Sequence, residues 1–133
     1  MNKELHGVKD GRLAACPDSP NCVSTLAQNP EKRMDPLPFY KDTYTTKELL
    51  KSILHSMDRA SIEMETSNYL HCLFTTRIFR LKDDVEFLID EKNKLVHFRS
   101  ASRKAYSDQG VNRKRMTEIA AIYVQRTLDG PGL

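Results

Sequence analysis

The stretch Asp84-Val-Glu-Phe-Leu-Ile-Asp-Glu-Lys-Asn-Lys-Leu-Val-His-Phe-Arg99 decides the fold, because it predicts a β-hairpin. Apolar and polar residues alternate on both sides of the polar run Glu91–Lys94, and a period of two is typical of a half-buried strand. The apolar positions that share one face are Val85, Phe87, Ile89, Val96 and Phe98. The two halves therefore predict neighbouring antiparallel strands joined by a short polar loop.

The hairpin loop determines which residues of the two strands face each other. If Lys92 and Asn93 form a two-residue turn, Glu86 lies opposite Arg99. A loop one residue longer would instead place Glu86 opposite Ser100. The first register predicts a cross-strand ion pair between Glu86 and Arg99, which would contribute about 0.2–1 kcal/mol if it is exposed.

Two further strands are predicted before the hairpin. Ile62 and Met64 alternate with glutamates, as expected of a strand with one buried face. Residues Tyr69–Phe79 are rich in aromatic and β-branched side chains and predict one long strand. Cys72 shares a face with apolar neighbours in that strand, which indicates a small hydrophobic residue of the core.

A first helix is predicted before these strands, from about Thr46 to Arg59. Thr45 and Glu48 have the spacing of a capping box, in which each side chain bonds a free backbone amide at the start of a helix. Tyr44 and Leu49 occupy the positions of a hydrophobic staple. The apolar residues with helical spacing are Leu49, Leu50, Ile53, Leu54 and Met57.

The remaining segments complete an α+β arrangement. A second helix is predicted to begin near Gly110 or Val111, with the inward-facing residues Met116, Ile119, Ala120 and Tyr123. Residues 1–40 are predicted to be mostly irregular, because prolines interrupt both helix and strand at Pro17, Pro20, Pro30, Pro36 and Pro38. Helix, four strands and helix over residues 45–128 predict a four-stranded antiparallel sheet with two helices packed on one face.

Length and composition bound the class of protein. The chain has 133 residues, of which 39% are hydrophobic and 29% are charged, as is typical of one soluble globular domain. No apolar run approaches the roughly 20 residues of a membrane span. The first residues lack the apolar stretch of a signal peptide. We therefore expect a single domain over residues 1–133, located in the cytoplasm and without a membrane partner.

The cysteines Cys16, Cys22 and Cys72 are an odd number, which is unusual for a disulfide scaffold. In a reducing compartment the expected state is three free thiols. A disulfide between Cys16 and Cys22 is also sterically allowed. Zinc is less favoured because the chain has no Cys-x-x-Cys pair, and a catalytic thiol is the remaining alternative.

Positive charge is concentrated between Arg99 and Arg115. The net charge of this stretch is +5, whereas that of the whole chain is +3. Its basic residues are Arg99, Arg103, Lys104, Arg113, Lys114 and Arg115. Hydroxyl and amide groups between them supply neutral donors, and such a mixture can bind an anion.

Several of these motifs together resemble the family called domain of unknown function 1499. The matching blocks are Cys16–Ser24, Asp83–Phe87, Arg99–Arg103, Tyr106–Asp108 and Gly110–Arg115. The resemblance covers roughly residues 13–128. Lys104-Ala105 departs from the pattern, in which an apolar residue and then glycine are expected. The resemblance implies a shared fold, and it transfers no activity and no catalytic residue.

The function favoured by these observations is binding of a small anionic ligand or a protein carboxylate by a small soluble domain. The predicted ligand-binding residues are Asp84, Glu86, Arg99, Ser102, Arg103, Tyr106, Asp108 and Arg113. Within the set, we expect Arg99 and Arg103 to be partly buried against strand carboxylates, while Lys104 and Lys114 face water. Arg113, with Ser102 and Tyr106, would then hold the anion.

Two alternatives remain open at this point. One is a metal-dependent or hydrolase-like enzyme that uses the carboxylates of Asp83, Asp84, Glu86 and Asp108. The other is a structural network in which the charges only fasten the last helix to the sheet. Nucleic acid is less favoured, because Tyr106 is the one aromatic residue in the basic stretch and no nucleic-acid-binding motif is present. Neither a metal, nor a cofactor, nor a catalytic residue is assigned.

Overall fold

The computed structural model describes residues 6–104 and 110–129. The elements in chain order are β1 (Val8–Lys9), β2 (Arg12–Leu13), β3 (Cys22–Ser24), β4 (Leu37–Pro38), α1 (Thr43–His55), β5 (Ala60–Glu65), β6 (Tyr69–Thr75), β7 (Lys82–Asp90), β8 (Leu95–Ser102) and α2 (Val111–Asp129). The fold is α+β, as the sequence predicts. No helix in the described ranges is long and apolar enough to span a membrane.

The main sheet is larger than the four strands predicted. Within the described residues it has six strands in the order β3-β8-β7-β6-β5, with β4 also paired to β8, and all these pairs are antiparallel. The two additional strands come from the proline-rich segment, where Cys22–Ser24 and Leu37–Pro38 lie between the prolines or at one. Runs this short carry no readable alternation, so the sequence could not reveal them. β1 and β2 form a separate two-stranded ribbon.

The predicted register of the central hairpin is confirmed. Glu86 pairs with Arg99 and Asp84 pairs with Ala101, on either side of the loop at residues 91–94. β8 continues to Ser102, three residues beyond the predicted end at Arg99. The extension follows from β3, which pairs with this last part of β8 and satisfies its backbone.

Helix α1 begins earlier than predicted, and its cap is a different residue. The Asp42 carboxylate accepts a hydrogen bond of 2.6 Å from the Thr45 backbone N–H, so Thr45 lies inside the helix and caps nothing. Tyr44 is 70% exposed and forms no hydrophobic staple. Thr46 is buried instead, and its hydroxyl donates to the Tyr40 carbonyl oxygen at 2.8 Å. The helix ends at His55, before the predicted Arg59.

Strand β6 is shorter than predicted, ending at Thr75 where Phe79 was expected. Phe79 and Arg80 have φ values of 67° and 53°, so the chain turns there, and Phe79 is 84% exposed. Aromatic and β-branched residues favour strands only where a neighbouring strand and a buried face are available. β7 supplies that neighbour as far as the pair of Thr75 with Lys82.

The hydrophobic core lies between the two described helices and one face of the sheet. This helix-covered face has the fully buried side chains Leu70, Cys72, Val85, Phe87, Val96 and Phe98, which pack against Met116, Ile119 and Tyr123 of α2. The predicted inward residues of α2 are confirmed. Tyr123 is anchored by a hydrogen bond of 2.6 Å from its hydroxyl to the Pro38 carbonyl oxygen, and burial raises the pKa of Tyr123 to about 12.

The cysteines do not all remain free thiols, so that prediction was wrong. Cys16 and Cys22 form a disulfide, with 5.7 Å between their Cα atoms. The turn-rich segment between them folds back on itself and brings the two Cα atoms within the usual range for this bond. Within the described residues Cys72 is the free cysteine, and it is fully buried as predicted. Burial raises the pKa of the Cys72 thiol to about 11.

Candidate functional site

The opposite face of the sheet carries buried charge, and the N-terminal residues cover it. Side chains alternate across a strand, so Asp84 and Glu86 of β7 project to the face away from Val85 and Phe87. The cross-strand partners on this polar face include His71, Arg99 and Tyr69. We call this surface, with its residues Tyr69, His71, Asp84, Glu86, His97 and Arg99, the polar face. Asp83 projects to the other side, so the three predicted carboxylates do not form one site.

Glu86 is the centre of the first polar cluster. Its carboxylate is completely buried and accepts hydrogen bonds of 2.6 Å from the Tyr69 hydroxyl and 2.6 Å from the Gly7 backbone N–H. The predicted pair with Arg99 is present, with 3.4 Å between Arg99 Nη1 and Glu86 Oε1. Burial, followed by the neighbouring Glu86 carboxylate, holds the pKa of Tyr69 far above its usual value. Tyr69 is therefore a neutral hydrogen-bond donor at physiological pH.

Arg99 is buried as predicted, being 4% exposed. Besides Glu86, its guanidinium donates to the Ala15 carbonyl oxygen at 3.3 Å. Within the described residues its buried Nε has no hydrogen-bond partner. Both of its bonds are long, and one donor is unused, so Arg99 is less than fully satisfied by the protein.

Asp84 is the centre of the second polar cluster. One carboxylate oxygen, Oδ1, accepts from His71 Nε2 at 2.7 Å and from Arg103 Nη2 at 2.9 Å, and the other accepts from Arg103 Nε at 2.9 Å. Burial alone would raise the pKa of Asp84, but the bonds from His71 and Arg103 outweigh it and hold that pKa well below its usual range. The ring of His6 stacks on that of His71, with 4.2 Å between centroids.

The prediction for Arg103 is correct in its partner, and its side chain is only partly covered by the protein. Its guanidinium donates to both oxygens of Asp84, one of the strand carboxylates predicted as its partners. The side chain remains 40% exposed. The hydrogen bond to Asp84 raises the pKa of Arg103. Lys104 and Lys114 are exposed, as predicted.

Other residues of the basic stretch fasten α2 to the sheet. Arg115 donates to Asp83 at 2.7 Å and lies over the Phe74 ring, with 4.6 Å from its guanidinium carbon to the ring centroid. The Asn112 amide donates to the Ser102 hydroxyl at 3.0 Å. Part of the predicted ligand set, Ser102, therefore belongs to a structural network on the helix-covered face.

The predicted anion site of Arg113, Ser102 and Tyr106 stays a prediction, because Tyr106 lies outside the described residues. Arg113 Nη2 donates to the Glu31 carbonyl oxygen at 2.8 Å, which directs its guanidinium to a different segment from Ser102. The proline-rich segment therefore contacts the first turn of α2 through its Glu31 and Arg33 carbonyl oxygens. Tyr106 and Asp108 lie outside the described residues.

A cleft opens beside the polar face. It has a volume of about 1100 Å³ and lies between the β1–β2 ribbon, the sheet and the β7–β8 loop. Its lining includes Tyr69, Leu88 and His97 from the sheet and Leu26 from the loop after β3. Burial lowers the pKa of His97, whose Nδ1 lies 3.0 Å from the Thr25 hydroxyl.

Sequence reasoning missed several residues of this region: His6, Gly7, Tyr69, His71 and His97. A signal for Tyr69 and His71 was present, because they alternate with the core residues Leu70 and Cys72 and so had to share a face with Glu86. No local signal marks His6 or Gly7, since their position depends on how the N-terminal segment returns to the sheet.

Comparison with known proteins gives a family match. A family model described as "Protein of unknown function (DUF1499)" matches residues 12–122. No curated protein matches the chain. The matched range contains both polar clusters, apart from His6 and Gly7, and most of α2. Because the match extends over most of the sequence, the chain belongs to the DUF1499 family.

Proposed function

We propose that this protein binds a small ligand with an apolar body and an anionic group, in the cleft between the β1–β2 ribbon and the sheet. The observation that carries the proposal is the cleft itself, about 1100 Å³ in volume, with Tyr69 and His97 in its lining. A cavity of this size, lined by apolar side chains and a few titratable groups with shifted pKa values, is the usual form of a small-molecule site.

The apolar body of the ligand would lie on Tyr69, Leu88 and Leu26. Tyr69 and Leu88 are 4% and 7% exposed and form a small cluster with Leu13, separate from the main core. Leu26 packs on this cluster and also lines the cleft. Such a surface supplies contact area without demanding hydrogen bonds from the ligand.

The charges along the cleft favour an anionic group. Among the described residues, no hydrogen bond or ion pair engages the side chains of Lys9, Arg12 or Lys92, which all line the cleft. Asp90 and Glu91 also line the cleft and accept hydrogen bonds from neutral groups, Asp90 from the Asn93 side chain at 2.8 Å and Glu91 from the Thr43 hydroxyl at 2.9 Å, so both keep their charge. The three cations outnumber the two carboxylates, and the small positive excess favours an anion.

The residues predicted from the sequence have a supporting part in this proposal. Glu86 accepts from the Tyr69 hydroxyl and is itself bound by Arg99, and Asp84 accepts from His71 and is bound by Arg103. Their direct participation in ligand binding stays a prediction, and the unused Nε donor of Arg99 supports it. Direct ligand binding by Ser102, Tyr106, Asp108 and Arg113 also stays a prediction. The enzyme alternative also stays a prediction, although Asp83 lies on the opposite face from Asp84 and Glu86.

The test uses two fluorescent probes that share an apolar body. 8-Anilinonaphthalene-1-sulfonate carries an anionic group, and N-phenyl-1-naphthylamine is its uncharged counterpart. We expect saturable binding of the sulfonate at one site per chain and clearly weaker binding of the amine. Equal binding of both probes would remove the anionic part of the proposal.

Two pairs of variants locate the probe. Ala14→Phe fills the cleft and should abolish binding, whereas Ala121→Phe, on the exposed side of α2, should not. Arg12→Ala should weaken binding of the sulfonate but not of the amine, and Arg77→Ala, at an exposed position outside the cleft, is its control. Sulfonate binding that survives Ala14→Phe unchanged would show that the cleft is not the site.

We further propose that location and partners follow the expectations from the sequence: cytoplasmic, without a nucleic-acid partner. The disulfide argues against the cytoplasmic part of this proposal, because such bonds persist in oxidising compartments and are rare in the cytosol. Cell fractionation with a thiol count on the purified protein tests this. A disulfide-bonded protein found in an oxidising fraction would overturn the cytoplasmic assignment.

A further inference from the structure

We infer that His6, His71 and Asp84 form a binding site for a transition-metal cation of the zinc type. A candidate ligand atom from each residue lies within 4.8 Å of the other two. The three residues come from different parts of the chain: the N-terminal segment, β6 and β7. Their convergence is therefore a product of the fold and not of local sequence.

The chemistry of the three groups selects the kind of cation. Two imidazole nitrogens and one carboxylate oxygen are the ligands of Zn²⁺ and similar ions, whereas Mg²⁺ and Ca²⁺ prefer oxygen alone. Three protein ligands leave one position of a tetrahedral ion for water or a ligand atom, which is the arrangement of an open site rather than a closed structural one.

The geometry needs a small adjustment. Bonds of about 2.1 Å at tetrahedral angles place two ligand atoms roughly 3.4 Å apart. His71 Nε2 and Asp84 Oδ1 are now 2.7 Å apart, so they would separate by less than an ångström. A cation would take the place of the proton that His71 Nε2 donates to Asp84. The stacked ring of His6 can follow, because its side chain is only partly buried.

The surroundings support the ligands and give access to them. Arg103 binds both oxygens of Asp84 and so orients the carboxylate from outside, as partners of metal ligands commonly do. His71 and Asp84 are 5% and 4% exposed, so their orientation is held by packing. His6 lines the cleft, which supplies an entry path for the ion. The cation site does not depend on the identity of the ligand that the cleft binds.

The experiment uses Co²⁺ as a spectroscopic substitute for Zn²⁺, with protein from which any histidine tag has been removed. We expect visible absorption bands of tetrahedral cobalt that Zn²⁺ abolishes and that an equal concentration of Mg²⁺ leaves unchanged. Absence of these bands in the wild-type protein would overturn the inference.

Histidine variants assign the bands to this site. His6→Ala should abolish them and weaken Zn²⁺ binding by at least about tenfold, because losing even a partner that only orients a ligand costs about 10- to 100-fold. His55→Ala, at an exposed histidine of α1, is the matched control and should bind like the wild type. His71→Gln retains a donor to Asp84 and should also abolish the bands.

The test remains decisive if His71→Gln, a change at a buried residue, fails to fold. His6 is the least buried of the three ligands, so His6→Ala should melt at the wild-type temperature in the presence of a chelator. Unchanged cobalt bands in folded His6→Ala would overturn the inference. Probe binding in the cleft is measured separately with the naphthalene sulfonate, so failure of the metal site and failure of the ligand cleft are distinguishable.

Discussion

The two faces of the sheet bury different chemistry. The helix-covered face buries apolar side chains such as Phe87 and Leu70, whose removal from water stabilises the fold. The polar face buries Glu86, Arg99 and Asp84, whose removal from water costs free energy that their mutual attraction only partly repays. Net stabilisation of the fold therefore comes mainly from the helix-covered face. The other face maintains an arrangement of buried charged groups, which our proposal places behind a ligand-binding cleft.

The largest effect should come from replacing a buried leucine by alanine. Making this change once on each face compares the two faces directly. Leu70→Ala, on the helix-covered face, should lower the free energy of unfolding by about 4 kcal/mol, because the packed core leaves a cavity. Leu88→Ala, under the thin cover of the polar face, should cost about 2 kcal/mol, because a loop can relax into the space. Urea unfolding measures both. Equal losses would contradict the division between the faces.

The second effect concerns the buried ion pair. Glu86→Ala should lower the free energy of unfolding by about 3 kcal/mol, because it leaves Arg99 buried without its counter-charge. Arg99→Ala should cost a comparable amount, and the double variant should lose less than the sum. The three unfolding free energies form the measurement. Additivity within about 0.3–0.5 kcal/mol would show that the two residues are not coupled.

A third, smaller effect concerns the cover of the polar face. The Cys16–Cys22 disulfide closes a short loop, so replacing both cysteines by alanine should lower the free energy of unfolding by about 2 kcal/mol. The loss should be accompanied by weaker probe binding in the cleft, because Ala15, beside the disulfide, holds Arg99. Urea unfolding and probe titration check the two parts. A variant with unchanged stability and binding would mean that the disulfide does not hold this cover in place.

The smallest effect concerns the reaction of the Cys72 thiol with a thiol reagent, which requires no substitution. Cys72 lies on the helix-covered face with a pKa raised to about 11, so its thiol should stay protonated and unreactive in the folded protein at pH 8. After denaturation without reductant, a thiol reagent should count one thiol per chain. A count of three would show that the disulfide does not form. Rapid reaction in the folded state would show that the helix-covered face admits water.

The helix-covered face was largely predictable from the sequence. Its strands alternate cleanly, and α2 repeats apolar residues with helical spacing, so local pattern and final packing agree. The register of β7 with β8 was also predictable, because the loop between them is short and polar. The errors at α1 arose because Asp42 and Thr45, three positions apart, are both residue types that cap helices, and Asp42 is the one that does so.

The polar face was predictable only in part. Glu86, Arg99 and the pair of Asp84 with Arg103 followed from strand register and charge. His6, Gly7 and the disulfide did not, because they depend on long-range contacts of a segment with little periodicity. Asp83 was placed with Asp84 and Glu86 although alternation separates it from both. The single-domain expectation for residues 1–133 stays a prediction.

The edge of the sheet formed by β5 has a consequence for association between copies of this chain. β5 lies at that edge, and its register with β6 shifts between Ile62 and Met64, which twists the strand away from a flat template. Glu65, at its end, is held by Lys47 and Lys51 of α1 at 3.1 and 3.0 Å. An irregular, charged edge is poorly suited to receive a strand from a second molecule. This edge should therefore resist growth of the sheet by added strands even at high protein concentration.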